Sequence, residues 1–194
     1  METPAQAAAR AKARDYLRTK GTETASAVVA ERVRGALAAL ETCLEAVPAE
    51  RAAPRTLDGE WSVHEIADHL LETHRPLLDE LHCLLAGHRP PGEPIPAGLQ
   101  SKAALLRPWP WLLRDLKQLH QDMVVTLSAV PASFTTDARA PVVMVINVPG
   151  PDGRPVPYEW IEDLDWKAYA IVLRLHAVDH LNQVKKVLAA GHSR

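Results

Sequence analysis

The residues best suited to do chemistry lie near the end of the chain, in the segment RLHAVDHLNQVKK. This segment places His176, His180 and Gln183 at positions i, i+4 and i+7, on one face of a helix. Two imidazoles one turn apart can chelate a single divalent ion, as the first two ligands of zinc proteases do. The same spacing fits a hydrogen-bonded pair without an ion. A third convergent ligand is therefore needed to favour a metal site.

The zinc-protease motif H-E-x-x-H is not present. It requires a Glu directly after the first His, and Ala177 occupies that position. The pair His64-Glu65 does not supply the motif either. The next histidine, His69, is five residues further along and so about 140° around a helix. The sequence thus excludes this protease class but not a metal site.

His69 is the best candidate for the third ligand. It lies between Ile66 and Leu70, on the buried side of a predicted helix. By the same geometry His64 projects away from the site. The remaining histidines are predicted to lie outside the site: His74 and His82 fit the apolar stripe poorly, His120 is expected to be exposed, and His88 and His192 fall in loop or terminal positions.

Apolar periodicity predicts the helices that must position these residues. A capping box formed by Ser62 and Glu65 marks the start of the second helix, and Pro76 is expected to kink or divide it. The Ala-rich first ~20 residues are predicted to form a short accessory helix or a tail. The four long helices are predicted near residues 24–47, 62–86, 109–129 and 161–190.

The segment before the last helix has a different character. A β-branched run, a cluster of Pro and Gly, and a second extended piece predict a β-hairpin at residues 142–158 that packs at one end of the helices. A proline-rich loop follows Gly87. The chain, residues 1–194, is predicted to be one all-α domain, an antiparallel four-helix bundle with a small hairpin insertion. Bundles of this kind build ligand and metal sites from side chains that face the central axis.

Composition excludes several classes of function. The chain has 22 Lys plus Arg against 24 Asp plus Glu, a net charge of −2, which argues against nucleic-acid binding. No apolar stretch approaches the ~20 residues of a membrane span, and the N-terminus is charged, so we expect a cytoplasmic protein without a membrane partner. Cys43 and Cys83, the two cysteines, are predicted to be reduced core residues without a chemical role.

Two motifs carry a resemblance to a known family. The segment EWSVHEIADHL, which contains His69, resembles the second helix of the DinB-like superfamily. The segment HAVDHLNQV resembles the closing H-x-x-x-H-x-x-Q signature of the same superfamily. The motifs are 107 residues apart, from His69 to His176. The resemblance spans residues 22–190.

This resemblance implies an up-down-down-up bundle in which His69, His176 and His180 hold one nickel or zinc ion. It also implies a homodimer. Characterised relatives include S-transferases and isomerases that use mycothiol, bacillithiol or glutathione. Gln183 and Asp179 are predicted to support the ligands without binding the ion. The hairpin and the proline-rich loop depart from the minimal family pattern, and no residue matches a pocket for a thiol cofactor.

Three neutral imidazoles leave open positions on a dication, as in catalytic rather than closed structural sites. Such an ion can activate a low-molecular-weight thiol as cosubstrate for transfer to a small electrophile, which the resemblance favours. Metal-dependent hydrolysis is an alternative. A non-enzymatic bundle that binds a metal or a small ligand is a third. The sequence assigns no catalytic residue beyond the three metal ligands.

Overall fold

A computed structural model of the chain describes residues 2–150 and 152–191. Four long helices form a bundle, and a β-hairpin precedes the last of them, which confirms the predicted fold class. Helices α2 and α4 each pack against both α5 and α6. The helices in chain order are α1 (Pro4–Leu17), α2 (Ser26–Glu45), α3 (Ala49–Ala52), α4 (Val63–Leu85), α5 (Trp109–Ser128) and α6 (Trp166–Ala190).

The bundle is held together by the apolar stripes that predicted its helices. On α2 the stripe buries Val33, Leu37, Leu40 and Leu44 completely or almost completely. Steps of three and four residues keep these side chains on one face, and each buried leucine contributes about 1.5–3 kcal/mol of transfer free energy. The corresponding stripe of α4 includes Leu70, which is fully buried. The histidines discussed below lie on these same faces.

The start of α4 is set by the predicted capping box, which the structure confirms. The Ser62 hydroxyl accepts from the backbone N–H of Glu65 at 3.2 Å, and the Glu65 carboxylate accepts from the backbone N–H of Ser62 at 2.8 Å. Arg55 donates to the same carboxylate at 2.8 Å. These contacts satisfy donors that the first helical turn leaves free. They fix where the helix begins and therefore where His69 lies.

Of the two outcomes predicted for Pro76, a kink or a division of the helix, the division is wrong, since α4 continues through this residue to Leu85. A proline inside a helix removes one hydrogen bond and costs about 3 kcal/mol. Here α4 is packed against both α5 and α6, and Leu78, Leu81 and Leu84 beyond the proline are all buried. Burial of three leucines is worth more than the lost hydrogen bond, so packing overrides the local preference.

The first residues form the accessory helix rather than a tail. Helix α1 begins with a capping box at Thr3 and is followed by a π-helical turn, Arg18–Thr22, that packs on the start of α6. A Cβ at Gly21 in this turn would lie 2.7 Å from the Cα of Ala168. Glycine is therefore required here by the close approach of two backbones.

The hairpin is confirmed but is longer than predicted. Strands β1 (Ala140–Pro149) and β2 (Pro155–Leu164) are antiparallel, with Met144 opposite Trp160. The last helix begins a few residues later than the predicted start near residue 161, because residues 161–164 belong to β2. Helix α6 begins at Trp166.

The boundary before α6 has a clear cause. The carboxylate of Asp165 caps the helix by accepting from the backbone N–H groups of Lys167 and Ala168, at 3.0 and 3.1 Å. An N-cap residue adopts extended backbone angles, so the chain ahead of it is free to continue as a strand. Trp160 and Leu164 of β2 are buried in the main core. The hairpin therefore packs against the helices, where it contacts α1 and α6.

No helix within the described residues is both long and apolar enough to cross a membrane.

Candidate metal centre

Three histidines from two helices converge inside the bundle. His69 comes from α4, and His176 and His180 come from successive turns of α6. The Nε2 atom of His176 lies 3.0 Å from that of His69 and 3.1 Å from that of His180. All the ligand atoms of the cluster lie within 4.8 Å of one another. The structure thus brings together the three residues that the sequence nominated as metal ligands.

Two of the three imidazoles are oriented by oxygen acceptors on their outer nitrogens. His69 Nδ1 lies 2.7 Å from the carbonyl oxygen of Leu99, in the proline-rich loop. His180 Nδ1 lies 2.8 Å from Oε1 of Gln183. The Gln183 amide is itself oriented, because its Nε2 donates to Glu60 at 3.3 Å. An oxygen acceptor requires Nδ1 to carry the proton, which leaves the Nε2 lone pair directed into the cluster.

This pattern is the one found around metal-binding histidines, which donate their second ring N–H to a carbonyl, a carboxylate or water. Gln183 contacts His180 in the way its predicted supporting role requires, and the role itself stays a prediction. Asp179 does not belong to the histidine cluster, and it lines the neighbouring cavity instead.

Burial keeps these imidazoles neutral near neutral pH. It lowers the pKa of His69, lowers that of His180 to about 4, and together with the neighbouring histidines lowers that of His176 well below its ordinary value. Desolvation disfavours the charged imidazolium, and neighbouring imidazoles disfavour it further. A metal ligand must be the neutral imidazole. The three imidazoles are therefore in the protonation state that metal binding requires.

The donor set and its spacing both fit a divalent transition metal. Imidazole nitrogen suits zinc and nickel, with zinc–nitrogen distances of about 2.1 Å. Two ligands at that distance are about 3.0 Å apart at octahedral angles and about 3.4 Å apart at tetrahedral angles, and the observed separations of 3.0 and 3.1 Å lie near the shorter value. The cluster contains no carboxylate within the described part of the chain. Three ligands leave coordination positions for other molecules.

A cavity of about 530 Å³ opens beside the histidines. His176 and His180 form part of its wall, and most of the remaining lining is apolar. Its volume lies within the range of small-molecule sites, roughly 300–1,000 Å³. The walls come from α4, α6, residues 141–146 of β1 and residues 95–97 of the proline-rich loop. The two insertions that depart from the minimal family pattern thus build the pocket.

The charged groups of this cavity are acidic. Its lining includes Glu80 and Asp179 but no Lys or Arg among the described residues. Burial raises the pKa of both carboxyl groups, although a hydrogen bond of 2.7 Å from Tyr169 opposes the rise for Glu80. The pocket therefore offers no basic side chain to neutralise an anionic ligand.

The sequence analysis missed two histidines. His120, predicted to be exposed, is almost completely buried, and His74, judged poorly placed, is fully buried. His74 Nε2 lies 3.0 Å from Nδ1 of His176. The sequence does contain a pattern that indicates burial of both histidines. His120 follows Leu116 by four residues and His74 follows Leu70 by four, so each histidine continues an apolar stripe.

Among the described residues, His64, His82 and His88 stay outside the cluster, as predicted. His64 does not reach it but is buried against Trp109, with 5.5 Å between the ring centroids. His82 bonds to Thr126 near the surface, and His88 is exposed. His192 lies outside the described residues.

The two cysteines are free thiols, but both are half-buried rather than fully buried as predicted. Neither Cys43 nor Cys83 belongs to the histidine cluster or lines the cavity beside it. They offer no nucleophile to this site.

Comparison with known proteins gives one strong structural match. No family model matches the chain, and no curated protein sequence matches it significantly. Among solved structures the chain is similar to YfiT from Bacillus subtilis, a probable metal-dependent hydrolase with an unusual four-helix bundle topology. The TM-score is 0.58 with 15% sequence identity, over 82% of this chain and 83% of that chain. The fold expected from the DinB-like resemblance is therefore confirmed: the chain has the four-helix-bundle fold of YfiT.

Proposed function

We propose that the protein is a metal-dependent hydrolase that acts on small, largely apolar, uncharged substrates. The observation that carries this proposal is the position of the three-histidine cluster in the wall of an apolar cavity. His69, His176 and His180 would hold one divalent ion, zinc or nickel. YfiT, which shares the fold, is described as a probable metal-dependent hydrolase.

His176 and His180 line the cavity, so an ion held by the three histidines would lie beside it. A divalent ion held by neutral histidines supplies an activated water near neutral pH and polarises a carbonyl oxygen. In ester hydrolysis, water adds to the carbonyl carbon, the acyl carbon–oxygen bond breaks, and the alcohol leaves with a proton. The chain's own contribution is to orient the ligands through Leu99 and Gln183 and to hold the substrate in place.

The cavity walls favour an apolar substrate. Val172 and Leu175 of α6, Leu77 of α4 and Met144 of β1 face this space. Each apolar group buried against them contributes about 25 cal/mol per Å². A substrate carboxylate placed away from the ion would instead meet Glu80 and lose its hydration without a compensating Lys or Arg, and one that reached the ion would compete with water for it. We therefore expect neutral substrates to be preferred over anionic ones.

Thiol transfer, which the family resemblance favours, is a second proposal. A cavity of about 530 Å³ has room for a thiol beside a small electrophile. The acidic lining limits this proposal, because glutathione and bacillithiol carry carboxylates that the pocket has no basic side chain to bind. Mycothiol carries no carboxylate, so this objection does not apply to it.

Ester hydrolysis and thiol conjugation can be tested on the same preparations. Protein loaded with zinc or nickel is assayed with nitrophenyl esters of acetate, butyrate and succinate, and with a reporter electrophile plus mycothiol, bacillithiol or glutathione. The variant His180→Ala removes one ligand, and His88→Ala removes an exposed histidine as a matched control. We expect butyrate to be cleaved faster than succinate, and His180→Ala to lose at least about 100-fold in rate.

Equal rates for wild type and His180→Ala with every ester would contradict hydrolysis at this site. Turnover that appears only with an added thiol would replace hydrolysis by transfer. A protein that binds the metal but turns over neither class of substrate would support the third alternative, a non-enzymatic binding protein.

A further inference from the structure

A continuous chain of hydrogen bonds runs from the histidine cluster across the bundle. His176 Nδ1 lies 3.0 Å from His74 Nε2, and His74 Nδ1 lies 3.0 Å from His120 Nε2. His120 Nδ1 lies 2.8 Å from an oxygen of Glu41. Each of the four long helices contributes one member: Glu41 from α2, His74 from α4, His120 from α5 and His176 from α6.

His176 differs from the other two proposed ligands in this respect. His69 and His180 face oxygen atoms, which only accept. The partner of His176 is another imidazole, and a neutral imidazole can donate or accept at either nitrogen. The contact between His176 and His74 therefore does not by itself decide which nitrogen of His176 carries the proton.

The carboxylate at the far end sets the direction when the imidazoles are neutral. Ionised Glu41 only accepts hydrogen bonds, so Nδ1 of His120 must carry its proton. Nε2 of His120 then accepts from His74 Nδ1–H, and Nε2 of His74 accepts from His176 Nδ1–H. The last step leaves the lone pair of His176 on Nε2, the atom that faces His69 and His180.

We propose that Glu41, His120 and His74 are positioning residues that fix His176 in the Nδ1–H tautomer and so direct its Nε2 lone pair to the metal site. None of these three lines the cavity beside the cluster in the described part of the chain. Their role is thus to act through His176 rather than on a substrate. The metal-binding consequence rests on the proposed function, whereas the tautomer is a property of the metal-free protein.

Burial makes this arrangement specific. His74 and His120 are 0% and 1% exposed, so water does not compete for their ring nitrogens. A buried ring nitrogen without a partner costs about 1–3 kcal/mol. Free histidine in water favours the opposite tautomer, with the proton on Nε2. With the imidazoles neutral and Glu41 ionised, the chain of bonds satisfies every ring nitrogen of His74 and His120 in one direction only. That direction opposes the contacts of His176 Nε2 with the Nε2 atoms of His69 and His180, at 3.0 and 3.1 Å, which by themselves favour a proton on His176 Nε2 in the metal-free protein. In our proposal the direction set by Glu41 prevails over these contacts.

The tautomers can be read directly by two-bond ¹⁵N–¹H correlation spectra of metal-free protein labelled in its histidines. Signals are assigned with His→Gln variants. We expect a protonated Nδ1 and an unprotonated Nε2 for His74, His120 and His176 in the wild type. A protonated Nε2 on His176 would overturn the proposal without recourse to any variant.

Variants then test the role of the carboxylate. Glu41→Ala should shift His176 toward the Nε2–H form and weaken Zn²⁺ binding 10- to 100-fold, the usual effect of removing a group that orients a metal ligand. Glu45→Ala is the matched control, because Glu45 lies one turn further on α2 and pairs with Lys117 at 2.7 Å. It should change neither quantity. Zn²⁺ affinity is measured by competition with a chromophoric chelator.

An unchanged His176 tautomer in Glu41→Ala would overturn the proposal, as would an equal loss of affinity in Glu45→Ala. Failure of the proposed hydrolase activity would leave the tautomer result intact. The two claims therefore stand or fall on separate measurements.

Discussion

Acidification of the metal-free protein should lower its stability by an amount that can be worked out for His180. Burial lowers the pKa of this residue from 6.5 to about 4 in the folded protein. Between these values the unfolded chain binds more protons than the folded chain, so stability falls as pH falls. The contribution is complete above about pH 6.5.

From pH 7 to pH 5 the unfolded His180 takes up nearly one proton and the folded residue takes up little. The free energy of unfolding should therefore fall by about 2 kcal/mol from this residue alone. His69, His74 and His176 have pKa values lowered by burial as well, and they add to the loss. The total is a large part of the stability of an ordinary domain, about 5–15 kcal/mol.

The assay is urea unfolding at pH 7 and pH 5 in the presence of a chelator, followed by circular dichroism. In His180→Gln the difference between the two pH values should be about 2 kcal/mol smaller than in the wild type. His88→Gln removes an exposed histidine and serves as the control. If His180→Gln and the wild type lose the same stability on acidification, His180 is not buried as a neutral imidazole and the reasoning fails.

Three further predictions concern packing, capping and the cavity. Gly21→Ala should lower the free energy of unfolding by about 1–3 kcal/mol in a denaturant titration because of its close backbone contact, whereas Gly35→Ala, on an open face of α2, should raise it by about 0.5–1 kcal/mol. Ser62→Ala should lower it by about 1 kcal/mol, since it removes the cap of α4, and an unchanged unfolding midpoint would contradict this. Met144→Trp should fill the cavity and raise KM for a neutral ester at unchanged Zn²⁺ affinity; Val156→Trp, which does not line the cavity, is the control, and equal KM values would argue against this pocket.

The fold and the three central histidines were predictable from local patterns. Apolar stripes report helix faces directly, and His176 and His180 share a face because of their spacing alone. His69 could be identified as a candidate ligand because it lies beside buried positions of α4. Each of these predictions depends only on the spacing of residues within a single helix.

The hydrogen-bonded chain was not predicted, because it depends on how four helices meet. Glu41 follows Leu37 by four residues and precedes Leu44 by three, so it lies on the buried face of α2. His120 holds the equivalent place on α5. When a buried helix face is identified from its apolar residues alone, polar residues on that face are overlooked. A buried polar residue needs a hydrogen-bond partner, which here comes from another helix. That partner is visible only in the assembled bundle.

At two places tertiary packing overrides the local sequence preference. Pro76 does not divide α4, because the helix packs against both α5 and α6. Residues 161–164 join β2 because the strand pairs with β1 and buries Leu164. In each case the local sequence indicates one secondary structure, whereas contacts with a neighbouring helix or strand determine the structure that forms.

The central claim is that His69, His176 and His180 bind one divalent ion, and the metal content of the protein tests it most directly. Wild type and the His176→Ala variant are stripped with chelator, exposed to a small excess of Zn²⁺ or Ni²⁺, dialysed and measured by elemental analysis. We expect one ion per chain in the wild type and little in the variant, because two imidazoles hold a dication poorly. One ion per chain in both proteins, or none in either, would contradict it.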